Sequence, residues 1–400
     1  MNRKTAVGLS LLLLLVIPVF AVGIGPNLVQ NFHGNLASST TSTSNFDVGG
    51  SQQRFTFNAV GDEWLFYYTA SGGYAWIMFT CSQDGVTWTT PQTIERGIGS
   101  GDFFGVAFDG TYFQYIGSPV LGSFDYGRET PYSNCTMAQS AIQTVSGISG
   151  RVYNPVIATD VNGYPMFTYT DCIFCSSESV WIARSSTNNG VFTLASGYPL
   201  LLETFNGTNL SSARGVPIAL DDSAKIAVVW GNTNLPLRLK VYDVASSTWG
   251  STIYTTNQLG SSGEQMSVTA YDGMMRVAFE NGNTIYFAQY NVTSSTLKES
   301  TPVAGIGDVP QMTQYCNKTY LFWMNPNSGV STIYYKELPL TSTTWSDTHT
   351  WLSDAYQQAV FSNWLYSVPS TDNSIGLMFT VSNGVNDTLR YANLPLPLCD

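Results

Sequence analysis

The sequence predicts an all-β chain folded as a β-propeller of seven four-stranded blades, with six as the alternative. Three observations carry this. The chain is 14% aromatic and only 11% charged, against about 25% charged in ordinary globular proteins. Gly, Ser, Thr, Asn and Tyr fill the difference, and they suit pleated surfaces and tight turns. Gly- or Ser-rich lead-ins to apolar strands recur along the chain. No stretch of helical period runs longer than a turn or two.

The lead-ins are GSQQRFTF from Gly50, SGDFFGVAF from Ser100, SGRVYNPVIA from Ser149 and SARGVPIAL from Ser212, then SGEQMSVTA from Ser262, IGDVPQMTQ from Ile306 and DAYQQAVF from Asp354. Their spacing, about 44 to 63 residues, suits propeller blades. Unit five predicts strands over Met266–Tyr271, Met274–Glu280, Thr284–Tyr290 and Leu297–Val303, with turns at Asp272-Gly273 and Asn281-Gly282. Asp-Gly and Asn-Gly between apolar runs are strong hairpin signals. Unit seven stops early, with Leu389–Leu394 as its third strand. A blade edge left bare invites aggregation, so Asn27–Phe32 is expected to supply the outer strand and close the ring.

The domain organisation follows. Residues 1–23 read as a signal peptide or an N-terminal anchor. Asn2-Arg3-Lys4 is a basic start, and an apolar run from Ala6 to Phe20 allows cleavage after Ala21 or Gly23. Ala6 to Ile24 is also nearly long enough to span a bilayer. Residues 24–50 form the N-terminal strand and a Ser/Thr-rich linker, and 51–400 form the propeller. Either reading of the N-terminus places the chain outside the cytoplasm, secreted or at the cell surface. Net charge is −11, which repels nucleic acid.

Six cysteines suit an exported protein with disulfides. Cys172 and Cys175 read as a local bridge or as two free thiols, and Cys81–Cys135 and Cys316–Cys399 are the suggested further pairs. His33 and His349 are the only histidines, so no metal site is expected, and no cofactor motif is present. N-x-S/T sequons at Asn134, Asn206, Asn209, Asn291, Asn317 and Asn386 permit N-glycosylation.

Ser82-Gln-Asp-Gly-Val-Thr-Trp88 carries a turn chemistry of its own. Asp84 can accept backbone N–H groups, Gly85 supplies an unusual φ, and Trp88 can pin the turn. Ser186-Thr-Asn-Asn-Gly-Val-Phe192 looks like a degraded copy, and Ser246–Trp249 and Thr341–Trp345 like further relics. The first segment resembles the Asp-box, or BNR repeat, of the sialidase-like β-propeller superfamily. That resemblance implies a structural role for Ser82, Asp84, Gly85 and Trp88, away from any active face. A sialidase would also carry an arginine triad, a Tyr–Glu pair, an acid/base Asp and an Arg-Ile-Pro-like motif. Arg54-Phe-Thr-Phe does not match that motif, and Arg214-Gly-Val-Pro217 resembles it only in outline and in the wrong unit.

Alignment of the lead-ins places Asp102, Arg151, Arg214, Glu264 and Asp308 at one position, with Tyr356 there in unit seven and Arg54 near it in unit one. Inner strands line a propeller's channel, so these side chains are expected to converge at one mouth. They form either a ring of mutual ion pairs or a ligand site, and the residue set alone leaves both open. The functional expectation is a non-catalytic binding or surface protein whose partners are glycans or other surface proteins. The alternatives are a sialidase-like secreted glycosidase working through carboxylates, and a structural subunit of an envelope layer or filament.

Overall fold

The computed structural model describes residues 35–39, 56–71, 74–98, 104–120, 122–148, 152–171, 177–206, 213–220, 224–260, 266–300, 302–305, 307–325, 332–353, 360–369, 374–382 and 387–396. Within them, alternating apolar runs separated by turns pair as antiparallel meanders. These make seven sheets. Blade 1 comprises Thr56–Ala59, Asp62–Ser71, Tyr74–Ser82 and Gln92–Ile98, in that order from the inside out. Blades 2 to 6 begin with the inner strands Phe104–Phe108, Val152–Thr159, Arg214–Leu220, Met266–Tyr271 and Asp308–Tyr315. Blade 7 begins with Val360–Pro369.

The sheets close into a propeller. Inner strands of blades 2 through 7 touch in succession, and that of blade 7 touches Thr56–Ala59 of blade 1. Blades 1 and 2 meet through Gln92–Ile98 and Phe113–Val120. The core lies in the seams between sheets rather than along one axis. Trp64, Phe66, Phe79, Phe113 and Tyr391 share one cluster that joins blades 7, 1 and 2. Similar clusters fill the following seams.

The ring is closed by an N-terminal strand, as the early end of unit seven predicts, but the segment differs. Asn35–Ser39 pairs with Asp387–Pro395, Asn35 opposite Tyr391 and Ser39 opposite Thr388. Asn27–Phe32 lies outside the described residues. The closing strand therefore comes from the stretch read as linker. An outermost strand joins its sheet through backbone groups, and polar side chains protect such an edge. The apolar content that pointed to Asn27–Phe32 is not what an edge strand requires.

Unit five follows its prediction with two corrections. Strands run over Met266–Tyr271, Met274–Asn281 and Thr284–Asn291. The second turn is centred on Gly282 and Asn283, both with φ near +60°, rather than on Asn281-Gly282. A type I′ turn needs positive φ at both central residues, which Gly-Asn provides. The fourth strand is Thr296–Glu299 only. Val303 instead donates its N–H to the Ile285 carbonyl, 2.7 Å away.

Two faces result. Inner strands begin on one of them, here the mouth face. The loops joining first to second and third to fourth strands lie on the opposite, turn face.

Candidate functional site

On the mouth face, Arg214 is the first residue of blade 4's inner strand and Asp308 the first of blade 6's. The structure thus puts these two predicted residues at equivalent strand starts. Arg54, Asp102, Arg151, Glu264 and Tyr356 lie outside the described residues, as do Cys172, Cys175 and Cys399.

Blade 3 fixes where Arg214 stands. Thr170 Oγ1 donates to the Ala213 carbonyl at 2.7 Å, and Thr168 Oγ1 to the Gly215 carbonyl at 2.5 Å. The fully buried Glu178 carboxylate accepts the Ala213 N–H at 3.1 Å and Asn232 Nδ2 at 3.2 Å. Its Oε1 has no hydrogen-bond partner among the described residues. The backbone on both sides of Arg214 is therefore clamped by the neighbouring blade. The guanidinium is itself buried, with the residue 1% exposed.

The inner strands of blades 3 and 6 bulge just after they begin. Register shifts between Tyr153 and Val156 and between Asp308 and Gln311. Asn154 and Val309 take positive φ at 54° and 52°. A β-branched residue in that region is strained, and bulges of this kind re-aim neighbouring side chains beside functional sites. Below the mouth most side chains that line the channel cavity are aliphatic or aromatic. This cavity of about 250 Å³ is lined by Phe57, Val106, Val156, Val216, Ile218 and Val268 among others.

Sequence reasoning missed a second polar cluster, in the seam between blades 1 and 2. Burial first, and Asp125 second, push the Glu95 carboxyl up to about 8. Burial also raises Glu129 to about 7, opposed by the Ser140 N–H it accepts at 2.7 Å. The Tyr115 phenol is buried beside both, and its hydroxyl has no partner among the described residues. Two strand glycines make the room. A Cβ on Gly127 would stand 2.3 Å from the Tyr115 ring, and one on Gly117 3.1 Å from Glu95 Oε2. Isolated glycines inside strands were the available signal.

On the turn face, Ser82–Trp88 joins the third and fourth strands of blade 1. Asp84 Oδ1 accepts the Ser82 hydroxyl at 2.9 Å and the Val86 and Thr87 N–H groups at 2.8 and 2.6 Å. Those donors hold its carboxyl down at about 2. Gly85 has φ +68°, where a Cβ would also meet Asn393 Nδ2 at 3.1 Å. Trp88 stands edge-on to Tyr391 of blade 7, at 5.0 Å between ring centroids. The tryptophan thus pins its turn to the neighbouring blade rather than its own. Phe192 repeats this in blade 3 against Tyr126 of blade 2, and Trp345 in blade 6 against Phe287 of blade 5. The suggested Cys81–Cys135 disulfide is present and ties blade 1 to blade 2. Cys316 is also disulfide-bonded. Asp62, which lies against that bridge, accepts the Cys135 N–H at 2.8 Å.

No family profile and no curated protein matches the chain. Solved structures do match. A PL25 ulvan lyase bound to a -[GlcA(1-4)Rha3S]- saccharide superposes with TM-score 0.61 at 10% identity, covering 88% of this chain and 95% of that one. The BP39L lectin from Burkholderia pseudomallei gives the same TM-score and identity, covering 88% and 97%. The sialidase NanB from Streptococcus pneumoniae gives 0.52 at 14% identity, covering 90% and 70%. At these identities the likeness establishes the architecture, and the chain has a sialidase-like β-propeller fold.

Proposed function

We propose that this chain is a secreted or cell-surface, non-catalytic propeller that binds glycans at the channel mouth. The observation that carries this reading is the mouth face itself. The inner strands of blades 4 and 6 begin there with Arg214 and Asp308, Arg214 is clamped by a neighbouring blade, and the inner strands of blades 3 and 6 bulge near their starts. The repeat alignment puts Asp102, Arg151, Glu264, Asp308 and Tyr356, with Arg54 near them, at the position of Arg214, and on this reading arginines at that position supply planar donors for a carboxylate or sulfate. The solved lectin, lyase and sialidase propellers support a carbohydrate partner. The Ser82–Trp88 turn is read as an Asp-box with a structural role.

A glycan array on the purified protein tests the proposal, followed by calorimetry on Arg151→Ala and Arg214→Lys. Acidic glycans are expected to bind. Each substitution should weaken them about 10-fold or more, the size of a lost charge-assisted hydrogen bond. Unchanged binding alongside lowered stability would leave the ring as a structural seal of ion pairs. Turnover of a sialoside would favour the glycosidase reading.

A further inference from the structure

We propose a second carbohydrate site on the turn face, in the hollow between the Ser82–Trp88 turn and the Cys81–Cys135 bridge, selective for neutral sugars. This is a cavity of about 420 Å³ whose walls include Gln83, Asp84, Thr87, Trp88 and Asn134. Blade 1 contributes the turn and blade 2 contributes Asn134, and the disulfide bonds the two blades beside the hollow.

The polar groups there are matched to hydroxyls. Asp84 spends Oδ1 on its three turn donors, the Thr87 hydroxyl lies against the same carboxylate, and the remaining acceptor capacity of its two oxygens serves a ligand hydroxyl. Gln83 Nε2 donates to Asn134 Oδ1 at 3.2 Å. That single bond orients both amides while Gln83 Oε1 and Asn134 Nδ2 remain for recognition. Trp88 is half-buried and lines the hollow with its ring, while its Nε1 is turned away from solvent. An aromatic wall with a few fixed donors and acceptors is the composition of a sugar site. The charge sets the class. The carboxylate repels uronic and sialic acids and accepts from neutral hydroxyls, whereas Arg214 stands at the mouth. The two faces would therefore read different glycans, and a failure of one site leaves the other testable.

The neutral sugar has two sources, a free glycan or one attached to Asn134, an exposed sequon asparagine that itself lines the hollow. The test titrates N-acetylglucosamine and mannose into protein made without N-glycosylation, with N-acetylneuraminic acid as the control, read by saturation-transfer NMR. Saturable millimolar binding of a neutral sugar is expected, with none of the acid at this face. Gln83→Ala, at an exposed side chain outside the turn's own bonds, should weaken that binding about 2- to 10-fold. Glycosylated protein that no longer binds, restored by Thr136→Ala, identifies the attached glycan as occupant. Equal binding in both forms identifies a free one. No saturable binding of either neutral sugar to the unglycosylated protein, or binding that Gln83→Ala leaves unchanged, overturns the proposal.

Discussion

The third-to-fourth strand turns of blades 1 and 3 do one job by different means. In blade 1 the bridge closes from Ser82 to Trp88, and one carboxylate oxygen gathers three donors. In blade 3 it closes from Ser185 to Leu194, a longer path. There the donors are shared out. Ser185 Oγ accepts the Thr187 and Thr193 N–H groups, Asn189 Oδ1 accepts that of Val191, and Thr187 donates to the Val191 carbonyl. Both turns carry a glycine at positive φ, and both set an aromatic ring against the preceding blade. A carboxylate makes a short turn self-sufficient; without it, several side chains and more residues are needed.

The disulfide is the largest difference between the two turns, because the blade 1 turn begins beside Cys81, which is bonded to Cys135 of the blade that follows. Replacing Cys81 and Cys135 together by alanine opens a loop of sequence separation 54. The expected loss is about 4 kcal/mol in chemical denaturation. A loss below about 1 kcal/mol would mean that seam packing alone fixes blade 1 against blade 2.

The aromatic pins come next. Phe192 is 4% exposed and touches both Phe167 and Tyr126, while Trp88 is only half-buried. Phe192→Ala should cost about 3 kcal/mol and Trp88→Ala about 2 kcal/mol, despite the larger ring of Trp88. The reverse order would show that the blade 7 seam, where the ring closes, depends on its pin more than burial indicates.

Asp84 separates the turns by pH. Its carboxyl is held at about 2 by turn donors, below the unfolded value, so its contribution is present above the unfolded pKa and disappears as pH falls through about 2. Asp84→Asn should lower the melting temperature at pH 5 and 7, and the two proteins should converge near pH 2. Asn189 carries no such charge, so Asn189→Ala should give a loss independent of pH. A gap between wild type and Asp84→Asn that persists below pH 2 would place the aspartate's role in shape rather than charge.

Much of this was legible in the sequence, for a physical reason. Blade starts and hairpins depend on local pattern, and Arg214, Asp308 and Met266 stand at or beside the strand starts that repeat spacing indicated. The Ser82–Trp88 turn is local too, so its acceptor Asp84 and its positive-φ Gly85 could be named from sequence. What was not legible crosses a seam. Glu95 and Asp125 meet because adjacent blades press two strands together, and no spacing in the chain encodes that. The clamp of Thr168, Thr170 and Glu178 on Arg214 is of the same kind. The closing strand Asn35–Ser39 was hidden because backbone pairing leaves no hydrophobic signature.

The smallest expected effect is the most informative about the turns. Asn189→Asp restores to blade 3 the carboxylate that blade 1 uses. If the residue type were all that mattered, the variant would gain what Asp84 supplies. The longer path gives Asn189 Oδ1 one N–H donor, Val191 at 3.1 Å, and the neighbouring Thr187 and Ser185 groups are already engaged. A carboxylate there gains charge-assisted character in one bond, with Arg128 against Gly190 as the nearby cation. The expected gain is therefore below about 0.5 kcal/mol, the range of an exposed pair, with no change in the acid limb of the stability curve. A gain of about 1 kcal/mol or more, appearing only above pH 4, would mean that the loop re-forms around the new carboxylate. The ten-residue path would then be a consequence of the missing charge rather than its cause.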